Sequence, residues 1–78
     1  MNNKELIEKL NKNCEIRFVA GYQMWIPNNL KLGVIETTNE TLYFSFCLKF
    51  HIDIQIISIV DNFSKIIPID SIVNLHFQ

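Results

Sequence analysis

The stretch from Thr41 to Asp61 constrains the fold of this chain more than any other. Apolar and polar side chains alternate there with a period of two, the pattern of a strand with one buried and one solvent-facing side. The alternation is clearest in the segment LKFHIDIQI, residues 48–56. No Gly, Pro or Asn interrupts the run from Leu42 to Val60. The pattern predicts one long bent strand, or two strands joined by a bulge at Ile56-Ile57, where the alternation slips.

The length of 78 residues limits the chain to one small domain. A chain of this size buries only roughly 60% of its unfolded surface, so its core gains from oligomerisation. Thirteen Ile residues favour extended backbone, because β-branched side chains pack well on pleated sheets. Two Gly and two Pro are few for a β protein, so the nine Asn residues are expected to build many of the turns. Together these features predict a mainly β fold.

The charge of the chain argues against a nucleic-acid surface. The formal net charge is −1 and Arg17 is the single arginine, so there is no basic patch to grip a phosphate backbone. The N-terminus lacks a cationic region followed by a long apolar run, and no apolar stretch is long enough for a membrane span. A soluble, cytoplasmic protein is expected, with no membrane contact. Cys14 and Cys47 are then expected to be buried apolar groups and not a disulfide.

The N-terminal residues predict a short helix. Asn2 and Glu5 have the spacing of a capping box, and Leu6, Ile7 and Leu10 fall on one helical stripe. The helix is expected from about residue 3 to residue 12.

A period of two returns at Cys14 and predicts a first strand that Gly21 ends. The segment from Tyr22 to Asn29 has neither period and is interpreted as a connecting loop. A second strand is predicted from Leu30 to about Thr37, and Thr38 to Glu40 is a polar turn into the long alternating segment.

The last third of the chain predicts two further strands. Asp61 to Ser64 is expected to form a turn, and a strand then begins at Lys65 and is interrupted by Pro68. Asp70-Ser71 is expected to form one helical turn before a final strand from Val73 to Phe77. No linker or repeat divides the chain, so residues 1–78 are predicted to form a single small barrel of five strongly bent strands with a short N-terminal helix. Closure removes exposed strand edges.

Two segments resemble the Sm-like family of small β-barrels. The first motif of the family matches in spacing Gly33, Ile35, Asn39, Leu42, Tyr43 and Phe44. The second motif is similar to IPIDSIVNL, which runs from Ile67 to Leu75. The resemblance covers about Gly33 to Leu75 and implies an Sm-like barrel. Other small barrels of SH3-like topology show a similar pattern.

The RNA-binding positions of that family carry different residues in this chain. The motif Asp corresponds to Asn39, the base-contacting Asn to Tyr43, and the Arg-Gly pair to Pro68 and Ile69. With the arginine absent, the uridine-binding pocket of the family is not expected to be preserved. A weaker RNA surface remains an alternative, in which Lys31, Lys49 and Lys65 face the phosphates and Tyr43 or Phe63 stacks on a base.

Four large side chains in the predicted loop are the candidate protein-binding residues. They are Tyr22, Met24, Trp25 and Ile26. Aromatic and apolar side chains displayed together form binding hot spots. The alternative is that the loop folds over an open end of the barrel and buries them.

Catalytic and cofactor chemistry has no sequence signature here. The serines lack a nucleophile motif, and two Gly residues cannot build a phosphate-cradling loop. His51, Asp53 and His76 do not have the spacing of metal ligands. The protein is therefore expected to be no enzyme and to use no cofactor or metal.

The resulting hypothesis is a non-enzymatic protein-interaction module, such as a small regulator or inhibitor of another protein. The alternative hypothesis is an RNA-binding Sm-like ring. A homo-oligomer is also predicted, held by strand pairing between subunits through the region from Leu48 to Val60 or the terminal strand from Val73 to Phe77.

Overall fold

The computed structural model describes residues 1–19, 22–59 and 65–78, which form one helix and eight strands. The elements are α1 (Asn3–Asn13), β1 (Cys14–Val19), β2 (Tyr22–Pro27), β3 (Gly33–Thr37), β4 (Thr41–Phe44), β5 (Leu48–His51), β6 (Ile56–Ile59), β7 (Lys65–Pro68) and β8 (Ile72–Phe77). Short 3-10 helices occupy Asn28–Leu30, Ile52–Ile54 and Ile69–Ser71. The predicted turn from Asp61 to Ser64 and the predicted strand end at Gly21 lie outside the described residues. The prediction of a mainly β fold with an N-terminal helix is confirmed.

The helix α1 follows the predicted capping pattern. Asn2 is the N-cap, and its Oδ1 accepts a hydrogen bond of 2.9 Å from the main-chain nitrogen of Glu5. Leu6 and Leu10 lie on the stripe that faces the core and are buried. The helix ends where the main-chain nitrogen of Cys14 donates to the carbonyl of Leu10 and the chain becomes extended. The predicted helix is therefore confirmed to within one residue at its C-terminal end.

The strands form two antiparallel sheets. Sheet A has the order β1-β2-β5-β6-β7, and sheet B has the order β4-β3-β8. The chain passes between the sheets at Asn28–Leu30, at residues 45–47 and at Ile69–Ser71. No strand pairing joins sheet A to sheet B within the described ranges, so the two sheets are not closed into a barrel there.

The N-terminal helix covers one of the two places where the edges of the sheets approach each other. It packs against both β1 of sheet A and β8 of sheet B. The ammonium of Lys9 donates to Asn74 Oδ1 at 3.2 Å and to the carbonyl oxygen of Leu75 at 3.0 Å. The main-chain nitrogen of Met1 donates to the carbonyl of Ile72 at 3.1 Å. Lys9 and the N-terminal nitrogen of Met1 therefore occupy carbonyls of β8. This is the terminal strand for which the sequence predicted pairing between subunits.

The core lies between the inner faces of the two sheets and α1. Cross-strand registers place Trp25 beside Leu48 and then Ile59 on one row of sheet A, and all three are buried. Sheet B contributes Ile35 beside Leu75 in the same way. The remaining buried members of the cluster include Cys14, Phe44, Phe50, Ile57, Ile67, Ile69 and Ile72. Period-two alternation thus directs most strand apolar side chains inward, as the sequence indicates.

The segment from Thr41 to Asp61 differs from the prediction. It contains three strands, and the chain reverses between β5 and β6, at residues 52–55, instead of bulging at Ile56-Ile57. The reversal uses Gln55 with a positive φ of 55°, a conformation that non-glycine residues adopt rarely. In the sequence, the alternation of apolar and polar residues continues through Ile52 and Ile54, which lie in this turn. The alternation therefore gives no indication that the chain reverses there.

The predicted loop from Tyr22 to Asn29 is also wrong. Residues Tyr22–Pro27 form β2, which lies between β1 and β5 in sheet A, and Asn28–Leu30 is a short 3-10 helix. Asn29 takes the left-handed conformation there, with φ 53°, which Asn tolerates better than most residues. The second predicted strand consequently begins at Gly33 and not at Leu30. Eight short strands among the described residues therefore replace the five predicted.

Two irregular residues occupy edge strands. Val73 is the extra residue of a bulge in β8, where Glu36 pairs with Asn74 and the next residue of β3 pairs with Ile72. Pro68 ends β7, an edge strand of sheet A among the described residues. A proline on an edge strand removes no ladder hydrogen bond when its nitrogen faces away from the neighbouring strand.

The close packing of Gly33 against the ring of Phe44 leads to a prediction about stability. A Cβ at this buried position would overlap the ring of Phe44. We expect Gly33→Ala to lower the free energy of unfolding by about 1–3 kcal/mol, because Phe44 is packed in the core and must shift. Urea unfolding followed by the fluorescence of Trp25 measures this loss.

The double variant Gly33→Ala/Phe44→Leu should lose less stability than the sum of its two single variants, since the smaller side chain makes room for the methyl group. Thr41→Ala, at an exposed position of β4, is the control and should change stability little. Strict additivity of the two core substitutions would contradict the overlap.

Candidate functional site

The outer face of sheet A carries side chains that the fold brings together from three strands. Met24 of β2 pairs with Lys49 of β5, and Lys49 pairs with Ser58 of β6. Tyr22 lies two residues before Met24 on β2, and His51 lies two residues after Lys49 on β5, so both are on the same face. We call these five residues the outer patch. Period-two geometry places them opposite the core residues of the same strands.

Ring and hydrogen-bond contacts organise the outer patch. The ammonium of Lys49 lies 4.6 Å from the ring centroid of Tyr22, within cation–π range. The rings of Tyr22 and His51 are tilted, with centroids 5.7 Å apart. His51 Nε2 is 3.3 Å from the hydroxyl oxygen of Ser58. Tyr22 is therefore in contact with two neighbours on β5, and its ring has a defined orientation on the sheet.

The outer patch combines side chains of different chemistry. Ser58 is only 8% exposed although it faces outward, so neighbouring side chains cover its hydroxyl. Among the described residues, no group of three or more His, Cys, Asp or Glu side chains is placed to hold a metal ion. Tyr22, Met24 and Lys49 are partly exposed and combine an aromatic ring, a flexible apolar chain and a cation. Such combinations are typical of contact surfaces.

The structure divides the four predicted protein-binding residues between the two faces of sheet A. Tyr22 and Met24 belong to the outer patch. Ile26 is half-buried on the same face, where it pairs with Glu15. Trp25 points the other way and is 1% exposed, in the core. The indole Nε1–H of Trp25 has no hydrogen-bond partner within the described ranges. Trp25 is therefore a packing residue, as the alternative of a buried segment anticipated.

The three candidate RNA-binding residues are on the side of sheet B. Asn39 is exposed in the turn between β3 and β4, and Tyr43 is 55% exposed on β4. The ammonium of Lys31 donates to Asn13 Oδ1 at 3.1 Å. Tyr43 and His76 flank Val34 on the outer face of sheet B. Glu36, on that face, has a carboxylate oxygen 3.9 Å from His76 Nδ1, so an acidic group lies beside any path for a phosphate backbone.

A second surface feature lies where β4 of sheet B faces β7 of sheet A. A groove of about 210 Å³ runs between them. It is lined by Thr37, Asn39, Glu40, Leu42, Lys65, Ile66, Ile67, Pro68 and Ser71. An ion pair of 3.4 Å between Lys65 Nζ and Glu40 Oε1 spans it. We call this feature the seam groove.

Sequence reasoning missed both assemblies. Alternation correctly placed Lys49 and His51 on the polar side of a strand. Contact with Tyr22, however, depends on the pairing of β2 with β5, whose residues are more than twenty positions apart in the sequence. The seam groove depends on the distance between two sheets, which no local pattern encodes.

The cysteines are buried, as predicted, and no disulfide joins Cys14 to Cys47. Burial raises the pKa of the Cys14 thiol to about 11, and the Lys31 ammonium lowers it by a smaller amount. A thiol with this pKa is almost entirely protonated at neutral pH, so Cys14 is a poor nucleophile. In the part of the chain that the structure describes, no helix is long and apolar enough to cross a membrane.

Comparison with protein families, with curated proteins and with solved structures finds no match to this chain. The resemblance to the Sm-like family therefore stays a prediction.

The raised pKa of Cys14 predicts an alkaline loss of stability. The folded pKa of about 11 lies above the ordinary value of 9.0, so the unfolded chain loses its thiol proton first as pH rises. This contribution to stability is present below pH 9 and is lost as pH rises through the folded pKa. We expect the stability of the wild type to fall by about 2 kcal/mol relative to Cys14→Ala between pH 8 and pH 11.

Urea unfolding of both proteins at a series of pH values measures the difference. Ile35→Val is the control, because it shortens a core side chain without removing a titratable group and should differ from the wild type by a constant amount. A constant difference for Cys14→Ala would contradict the raised pKa.

Proposed function

We propose that this protein is a non-enzymatic protein-interaction module, a small regulator or inhibitor that binds another protein through the outer patch. The observation that carries the proposal is the contact of Tyr22 with both Lys49 and His51 on the outer face of sheet A, where all three side chains are partly exposed. Met24 and Ile26 extend this face with partly exposed apolar surface.

The arrangement of the patch supports binding for an energetic reason. A Tyr side chain has few rotatable bonds, and neighbouring side chains already restrict the ring of Tyr22. Ordering it on a partner therefore costs less conformational entropy than ordering an isolated side chain. Lys49 and His51 provide polar groups at the border of the apolar area, the usual arrangement at a protein interface.

We further propose that the two sheets belong to the Sm-like or SH3-like class of strongly bent small barrels. Support comes from the short 3-10 helix that joins β7 to β8, from the passage of the chain between sheets at three points, and from the helix that precedes β1. A cytoplasmic location is part of the proposal, since two buried cysteines without a disulfide suit a reducing compartment.

The competing function is RNA binding by an Sm-like ring. The exposed ring of Tyr43 favours it, because an exposed aromatic side chain can stack on a base. The net charge of −1 and the carboxylate of Glu36 oppose it. Micromolar binding of uridine- or adenine-rich RNA at physiological salt, lost in both Tyr43→Ala and Lys31→Ala, would favour this alternative.

The proposal predicts that Met24→Ser weakens binding of the partner. A pull-down from the native host, analysed for both protein and RNA, identifies the partner, which is then purified. Calorimetric titration should give a Kd at least about tenfold higher for Met24→Ser than for the wild type, because an apolar contact at the centre of the patch is lost.

The control is Val73→Ser, which removes a more exposed apolar side chain from β8 of sheet B. It should bind the partner as the wild type does. Equal Kd values for all three proteins would place the interface elsewhere, and recovery of RNA without protein would reject the proposal.

A further inference from the structure

The edges of the two sheets come close to each other at two places, and the helix covers one of them. The helix α1 packs over the β1 and β8 edges. The seam groove separates β4 from β7, and the side-chain ion pair between Glu40 and Lys65 spans it. We propose that the seam groove binds β1 of a second copy of this chain, with Phe18 as the anchoring side chain. The groove shares no residue with the outer patch, although Ile66 of the groove pairs with Ser58 of the patch, and the inference does not depend on the proposed function.

The main chain on both sides of the seam groove has groups directed into it. Thr37 donates from its nitrogen to the carbonyl of Glu40, which makes this a hydrogen-bonded pair of the β3–β4 ladder. In an antiparallel ladder such pairs alternate, so Thr41 and Tyr43 direct their N–H and C=O groups away from β3. Among the described residues no strand pairs with that side of β4.

The strand β7 also has main-chain groups that point away from its neighbour. The main-chain nitrogen of Ile69 donates to the carbonyl of Gln55, so these two residues form a hydrogen-bonded pair. Such pairs alternate along the β6–β7 ladder, and the main-chain groups of Ile66 therefore point away from β6. Pro68 also faces away and lacks an N–H, and its carbonyl accepts a 2.7 Å hydrogen bond from the hydroxyl of Ser71. Ile66 is thus the residue of β7 through which an incoming strand can pair.

The edge of β1 has the complementary features. The nitrogen of Cys14 donates to Leu10 and Pro27 has no N–H, so their pair is not hydrogen-bonded. By alternation, the main-chain groups of Ile16 and Phe18 point away from β2. The helix packs against β1, but Phe18, near the far end of this strand, is 77% exposed.

The side chain of Phe18 suits the groove in size and polarity. It is the most exposed large apolar side chain among the described residues. The groove has apolar walls from Leu42, Ile66, Ile67 and Pro68. Its volume of about 210 Å³ exceeds the roughly 150 Å³ of an apolar cavity that accepts benzene. Insertion of the ring removes apolar area of both copies from water.

The charges beside the two surfaces are also complementary. On β1, Glu15 and Arg17 form an exposed ion pair of 3.3 Å on the outer face. At the groove, Glu40 and Lys65 form the pair of 3.4 Å. Each surface presents one acid and one base, so a docked strand can set Glu15 against Lys65 and Arg17 against Glu40 without leaving a like-charge contact.

This interface replaces the pairing edges expected from sequence. The strands β5 and β6 are each paired on both sides, and donors of the N-terminal segment occupy carbonyls of β8. Because β1 and the seam groove are different surfaces, the contact is head-to-tail. Repetition of such a contact gives a closed ring or an open fibre.

The head-to-tail geometry permits a complementation experiment. Phe18→Ser removes the anchor and leaves the groove, whereas Ile66→Lys blocks the groove and leaves the anchor. Sedimentation velocity of the full chain at several concentrations should show oligomers for the wild type and monomers for each variant, with the apparent Kd raised at least about tenfold. Equimolar mixing of the two variants should produce a 1:1 heterodimer, because one intact interface remains.

Val73→Ser is the control and should assemble as the wild type does, since Val73 is exposed on β8. A cooperative thermal transition of each variant, followed by Trp25 fluorescence, establishes that it is folded. A wild type that stays monomeric up to hundreds of micromolar would overturn the proposal. Two folded single variants that still assemble, or that remain monomers when mixed, would overturn it as well.

Discussion

The packing of α1 into the core is the interaction on which the rest of the structure depends. Leu6 and Leu10 are buried to 1% and 0% exposure between the two sheets. Their burial holds the helix against β1 and β8, and it brings Lys9 to the carbonyl of Leu75. The helix thereby covers the place where β1 and β8 come close to each other. The place where β4 and β7 come close is occupied by the seam groove. An asymmetric domain results, with one covered and one accessible seam.

The two faces of sheet A differ in their surroundings. The inner face of sheet A is buried, and its outer face carries the aromatic and cationic contacts of Tyr22, Lys49 and His51. The proposed partner surface is thus built on paired strands and not on a loop. Strands that hydrogen-bond on both sides give a contact surface little freedom to rearrange, which favours a partner that fits the existing shape.

Part of the candidate site was predictable from the sequence. The large residues from Tyr22 to Ile26 were identified, and Tyr22 and Met24 do lie on an accessible face. The segment that contains Trp25 was predicted to be a loop because its aromatic cluster has no clear periodicity, and the register against Leu48 directs the ring inward. Lys49 and His51 were placed on the polar side of a strand, but their contact with Tyr22 requires a non-local pairing.

The sequence alone determined the helix, the β class and the inward side of strands such as β5, where Leu48 and Phe50 are buried. These properties follow from capping residues and from side-chain periodicity, which act between residues close in the chain. The tertiary structure decided where the alternating segment reverses, since β5 and β6 pair on either side of the turn in which Gln55 has a positive φ. It also decided which sheet edges are covered. Edge cover depends on the distance between sheets and on where α1 packs, and both are set by the filling of a shared core.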